Sequence, residues 1–156
     1  MSFNNLDQLY RSVIMDHYKN PRNKGVIEDG SMTIDMNNPT CGDRIRLTLD
    51  IVDDVVKNAK FEGEGCSISM SSASMMTEAI KGHTIEEALK MSDEFTKMML
   101  GEDYEITEDM GDIEALSGVA KFPARIKCAT LAWKAFERGT KSSDETTIEE
   151  VITDNE

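Results

Sequence analysis

With 156 residues the chain has the length of one ordinary domain, enough to bury a real core and too little for two. Thirty acidic side chains against 17 basic ones leave a net charge of −13, which excludes a general nucleic-acid binder and disfavours an anionic membrane surface, since both need clustered Lys and Arg. No apolar run approaches the ~20 residues that span a bilayer, and MSFNNLDQLY carries no charged-then-apolar signal pattern, so a soluble, cytoplasmic protein without nucleic-acid or membrane partners is expected.

Leu6, Leu9, Tyr10, Val13, Ile14 and His17 recur at helical spacing, and Pro21 sets the end of that first helix near Asn20. The polar stretch EDGSM leads into TIDMNNPTCGDRIRLTLDIVDD, where Ile45, Leu47, Leu49 and Ile51 alternate with polar residues as in a half-buried strand. Asp53 and Asp54 mark a turn, and VVKNAKFEG supplies a second strand, so an antiparallel hairpin is predicted. Gly63 and Gly65 form a bend before Cys66, and a helix opening near Ser67 buries Ile68, Met75, Met76, Ala79 and Ile80.

TIEEALKM and DEFTKMML read as two short helices, the first opened by a capping box of Thr84 and Glu87, with Gly82 and Gly101 ending their neighbours. The acidic stretch 102–114 reads as a surface excursion with at most short helical turns. A long helix starts at Pro123, carries Cys128, Leu131, Ala132, Ala135 and Phe136 on one stripe, and stops at Gly139. One domain over 1–140 is therefore expected, followed by a mobile tail over 141–156 whose six acids and one lysine account for −5 of the net charge. There is no internal repeat.

Three cysteines are an odd number, and a reducing cytosol discourages disulfides, which turns attention to metal binding or thiol chemistry. Cys41 and Asp43 lie in NPTCGD, a Pro- and Gly-marked bend just before a strand. Cys66 follows a second bend and opens a helix, where unpaired N–H groups and the helix dipole favour a thiolate. Cys128 falls in the first turns of the last helix, with Arg125 three residues earlier on nearly the same face. Three cysteines and one aspartate can supply four ligands to one tetrahedral ion, with zinc and iron–sulfur chemistry both suited to thiolates. Isolated cysteines are also common as small buried hydrophobes, and scattered positions 41, 66 and 128 leave both readings open.

DHYKNPRNKG, NPTCGD, GEGCSISMSSASMM and KCATLAW, in that order between Leu6 and Gly139, resemble the IscU-like iron–sulfur cluster assembly family, and within it the SufU branch. The resemblance implies a compact α+β domain, a small antiparallel sheet with helices packed on one side, and a metal site at one end where Cys41, Asp43, Cys66 and Cys128 converge on Zn2+. Scaffold-type relatives carry histidine directly before the third cysteine and a Pro-Pro-rich chaperone peptide. Here the position is Lys127 and the local sequence is FPARIKC, while the acidic segment 93–114 resembles an insertion of the SufU branch. These departures point to a zinc-dependent sulfurtransferase, a persulfide carrier rather than a chaperone-served scaffold.

In that reading Cys41 is the catalytic residue. It accepts sulfur from the persulfide of a SufS-type cysteine desulfurase and passes it to a downstream iron–sulfur assembly scaffold. A desulfurase histidine takes the place Cys41 vacates while Asp43, Cys66 and Cys128 retain the zinc, and Arg125 offsets part of the excess negative charge. The alternatives are a scaffold on which a transient Fe–S cluster is built on the same cysteines, and a binding module with a structural zinc whose acidic surface docks a partner. His17, on the apolar side of the first helix, reads as a satisfied packing histidine, and the eleven methionines as core filler.

Overall fold

The computed structural model describes residues 2–28, 32–38, 42–141 and 147–151, with side chains for all of these except 2–7, 108–109, 141 and 147–151; Cys41 lies outside the described residues. Helix α1 (Ser2–Lys19) ends just before Asn20 and Pro21, as the proline requires. Three strands follow, β1 (Met32–Asn38), β2 (Asp43–Val52) and β3 (Val55–Glu64). Asp53 and Asp54 both take positive φ, 53° and 64°, so β2 and β3 are joined by a two-residue turn of the kind that matches strand twist. β1 pairs antiparallel with β2, and β2 antiparallel with β3.

The sheet is one-sided. Met32, Ile34 and Met36 of β1, Ile45, Leu47 and Leu49 of β2, and Ala59 and Phe61 of β3 are buried on one face. The other face carries charge, with Arg46 pairing Asp35 at 2.7 Å and Arg44 pairing Glu64. Helices α2 (Ser67–Ile80) and α4 (Pro123–Lys141) cover the apolar face, α1 packs on α2, and α3 (Ile85–Met99) packs on α4, where Phe95 stacks on Trp133 at 5.2 Å. Through β1–β3 the architecture is the expected α+β arrangement of a small antiparallel sheet with helices on one side. Among the described residues, no helix is long and apolar enough to cross a membrane.

The structure departs from the sequence reading in five places. β1 is a strand of its own, with Met32, Ile34, Met36 and Asn38 alternating inward. The two short helices expected after Thr84 are one continuous helix, because Ser92 does not break it but hydrogen-bonds Glu137 of α4. The acidic excursion leads into a 3₁₀ segment, Glu108–Lys121, that begins inside it, runs past its end, is kinked at Gly111, and buries Met110, Ile113, Leu116 and Val119.

Gly139 does not stop α4; a Cβ there would meet Ile34 Cδ1 at 2.6 Å and Met32 Sδ at 2.7 Å, so the glycine lets helix and sheet touch. Finally, within the 141–156 stretch expected to be a mobile tail, Thr147–Val151 form strand β4, which pairs parallel with β1 and gives the order β3-β2-β1-β4, while 142–146 and 152–156 lie outside the described residues. The β-branched residues of TTIEEV suit such an edge strand.

Candidate metal centre

Three elements bring one donor each to the same end of the sheet. Asp43 is the first residue of β2 and 1% exposed, Cys66 is the N-cap of α2 and half-buried, and Cys128 lies in the second turn of α4 and is fully buried. A carboxylate oxygen and the two sulfurs all lie within 4.8 Å of one another. Tight backbone packing permits this. A Cβ on Gly63 would collide with the Arg44 carbonyl oxygen at 2.0 Å, and one on Gly65 with Asp43 Oδ1 at 2.3 Å. Glycine at 65 thus leaves room for the carboxylate to sit over the start of α2.

There Asp43 Oδ1 accepts the Cys66 backbone N–H at 2.9 Å, satisfying one of the unpaired donors of the helix start. Its other oxygen, Oδ2, is buried and, among the described residues, has no hydrogen-bond partner. A buried carboxylate oxygen without a donor is costly, and a cation is the partner its chemistry calls for.

The sulfurs are prepared for the same partner. Cys66 is brought down from 9.0 to about 5, chiefly by a hydrogen bond from Cys128, with lesser help from Ser69, against the upward pull of burial and of the Asp43 charge. Ser69 Oγ lies 3.8 Å from Cys66 Sγ and also donates to the Cys66 carbonyl at 3.2 Å. Two sulfur donors and one carboxylate form a soft, anionic set that fits zinc or iron and excludes the all-oxygen shells of calcium and magnesium. Asp43, Cys66 and Cys128 therefore fit a tetrahedral thiophilic ion and leave one position for a fourth ligand.

Of the predicted site residues, Asp43, Cys66 and Cys128 are thus brought together. Arg125 is exposed and lines a groove of about 660 Å³ that runs past Cys66 between α1, the 3₁₀ segment and the start of α4. Tyr10, Ile68, Val119 and Phe122 form its apolar walls. Sequence reasoning singled out neither Gly65 nor Ser69 for the site, although both flank Cys66 in a stretch it had marked. It also passed over Asn38, which stands opposite Asp43 in the sheet register. His17 is the packed histidine expected, with Nδ1 on Ser74 Oγ at 2.8 Å and Nε2 on Asp112 at 2.9 Å.

Residues 9–129 match the family described as the NifU-like N terminal domain. A Bacillus subtilis (strain 168) protein named zinc-dependent sulfurtransferase SufU is 69% identical over 145 residues, 92% of this chain and 98% of that one. A Streptococcus pyogenes serotype M1 protein named iron-sulfur cluster assembly scaffold protein IscU is 45% identical over 143 residues, 92% of this chain and 89% of that one. A crystal structure from Fervidobacterium islandicum AW-1, described as a candidate iron–sulfur cluster assembly scaffold of the SUF system, superposes with a TM-score of 0.77 at 36% identity, covering 81% of this chain and 93% of that one.

Proposed function

The chain belongs to the NifU-like N-terminal domain family, and on that premise we propose that it is a zinc-dependent sulfurtransferase that carries persulfide sulfur into iron–sulfur cluster assembly. The observation that carries this reading is the convergence of Asp43, Cys66 and Cys128 within 4.8 Å, with one oxygen of Asp43 left without a donor among the described residues. The 69% identity to a protein named for that activity supports it. Cys41, two residues before Asp43 in sequence, is the sulfur acceptor and the fourth ligand; the donor is a cysteine desulfurase, and the receiver is a downstream assembly protein.

Transfer needs no outside oxidant or reductant. The Cys41 thiolate attacks the terminal sulfur of the donor's Cys–S–SH, a new S–S bond forms on Cys41, and the donor cysteine leaves as thiolate while the proton stays with the transferred sulfur. Zinc, when bound, supplies redox-silent stabilisation of thiolates at neutral pH. The chain's own residues do the rest. Asp43 and the N-terminus of α2 hold Cys66 in place, and the buried end of α4 holds Cys128. Arg125, exposed at the mouth of the adjoining groove, is a contact for the partner and a counter-charge to the anionic centre.

Mass spectrometry of the zinc-loaded chain after incubation with a cysteine desulfurase and cysteine tests this directly. One added sulfur on the Cys41 peptide, absent from a Cys41→Ala chain and from chain stripped of zinc, is expected. Sulfur transfer that survives Cys41→Ala sinks the assignment of Cys41. A chain isolated without air that holds iron and sulfide instead of zinc, and hands a cluster to an apo-acceptor, replaces the carrier by a scaffold.

A further inference from the structure

Cys66 and Cys128 are the two cysteines among the described residues, and their sulfurs lie within 4.8 Å of each other. The Cys128 side chain hydrogen-bonds Cys66 across the contact between α4 and α2. Both cysteines are fastened where they meet. Ser72 Oγ of α2 donates to the Ala129 carbonyl of α4 at 2.5 Å, one residue beyond Cys128, and Asp43 Oδ1 accepts the Cys66 backbone N–H at 2.9 Å. Two thiols held this close in a packed frame have one S···S contact to shorten to reach the roughly 2.05 Å of a disulfide.

The two sulfurs differ in access. Cys66 is half-buried and lines the groove of about 660 Å³, which has room for hydrogen peroxide or a small organic hydroperoxide, whereas Cys128 is fully buried. An oxidant entering from solvent therefore meets Cys66. Oxidation of a thiol follows its exposure, and a second thiol poised beside an exposed one captures the first oxidation product before it goes further.

We propose that this pair is a peroxide-reactive modification site in chain that carries no zinc, with Cys66 the peroxide-facing thiol and Cys128 the resolving one. The Cys66 sulfur attacks the peroxide O–O bond and takes one oxygen to become the sulfenic acid Cys66–SOH, while the other oxygen leaves as water or, from an organic hydroperoxide, as an alcohol. The Cys128 sulfur then attacks the Cys66 sulfur. An S–S bond forms, the S–O bond breaks, and the hydroxyl departs with the Cys128 proton as water. Two thiols thereby lose two electrons to one peroxide. The product ties the start of α2 to α4 and removes both sulfur donors from the metal site, so oxidised chain takes up no zinc until a thiol reductant reopens the bond by exchange. This chemistry needs only these two sulfurs and is independent of whether the chain carries persulfide sulfur.

The test treats the full chain, stripped of zinc by a chelator, with one equivalent of hydrogen peroxide and maps its non-reduced peptides by mass spectrometry. A Cys66–Cys128 linkage is expected, and Cys41→Ser should give the same one. With dimedone present, Cys128→Ser should be trapped as the sulfenic acid at Cys66, whereas Cys66→Ser should lose the trapped product. Oxidised chain should lose zinc uptake and regain it after dithiothreitol. Its Tm should exceed that of reduced, zinc-free chain, because the cross-link closes a long loop in the unfolded state.

No linkage, a linkage through Cys41, or a mixture of all three pairings overturns the proposal, and a mixture is also what zinc-free chain that had lost its fold would give. So does dimedone on Cys128 in Cys66→Ser as fast as on Cys66 in Cys128→Ser, which would make the buried sulfur the accessible one. Zinc-loaded chain gives a second reading. Under excess peroxide, zinc released to a chromophoric chelator should appear in step with the Cys66–Cys128 linkage, and release that runs ahead of the linkage overturns the proposal too. A chain that forms the linkage but accepts no sulfur refutes the sulfurtransferase reading and leaves the pair standing.

Discussion

Two clusters hang from α2, and each gathers three side chains that could hold an ion: Asp43, Cys66 and Cys128 at its N-terminus, and His17, Glu78 and Asp112 farther along. The second is closed. His17 is fully buried with both ring nitrogens engaged, and Ser74, which takes Nδ1, also accepts the Arg22 backbone N–H at 2.9 Å. The first is open, with Asp43 Oδ2 and both polar atoms of the neighbouring Asn38 buried and unmatched among the described residues. A satisfied network clamps helices together, whereas an unsatisfied one of the same size is shaped around something that joins later.

The largest effect expected from this contrast is on metal. Cys128→Ser or Asp43→Leu should weaken zinc binding, measured by competition with a chelator, by more than the roughly 10–100-fold that loss of an outer-shell partner costs. His17→Leu should leave it unchanged, and zinc loss in His17→Leu would reverse the roles assigned to the two clusters. Next in size is reactivity. In metal-free chain the Cys66 thiol titrates near 5, so it is mostly thiolate from pH 9 down to 6 and protonates only as the pH falls through about 5. Its alkylation rate should stay nearly flat over that upper range, while an ordinary thiol is under about 1% thiolate at pH 6. A rate that falls tenfold per pH unit from 8 downward would remove the claim that Cys128 and Ser69 stabilise it.

His17→Leu should then lower the urea unfolding free energy by about 1–2 kcal/mol, since the buried Ser74 hydroxyl loses one of its partners while half-exposed Asp112 turns to water; a neutral result would mean that the closed cluster is not a clamp. Smallest is Thr84→Ala. It removes the cap that accepts the Glu87 N–H at 3.1 Å, beside Val55 at the turn end of the β2–β3 hairpin and so at the opposite end from Asp43, and should cost about 1 kcal/mol with no change in zinc. A change in metal content there would show that the centre responds to general loosening rather than to its own donors.

Legibility followed the range of the interaction. The β2 alternation of Ile45, Leu47 and Leu49 and the Thr84–Glu87 capping box are local signals, and both are realised. β1 went unmarked because Asn37 and Asn38 dilute an alternation only seven residues long, yet the inward place of Asn38 was there in its period of two. From the acidic stretch onward Met110, Ile113, Leu116 and Val119 recur every three residues, the period of a 3₁₀ helix rather than of an α-helix, and a search at 3.6 residues passes over it. Gly139 is beyond local reading altogether, since stopping a helix and admitting a sheet side chain look the same in sequence. The site divides likewise. Residue types and bends marked Asp43, Cys66 and Cys128, but that they meet is a property of how α4 crosses β1 and β2.

That crossing sets an order of events during synthesis. Asp43 and Cys66 belong to the early β2–β3 hairpin and the helix that follows it, while Cys128 comes on α4, the last long helix. A nascent chain that has emerged only as far as α3 lacks Cys128, a fully buried donor, and the helix that carries it. Tight zinc uptake is thereby deferred until α4 docks, so the ion reports a finished fold and a truncated or stalled product cannot compete for it.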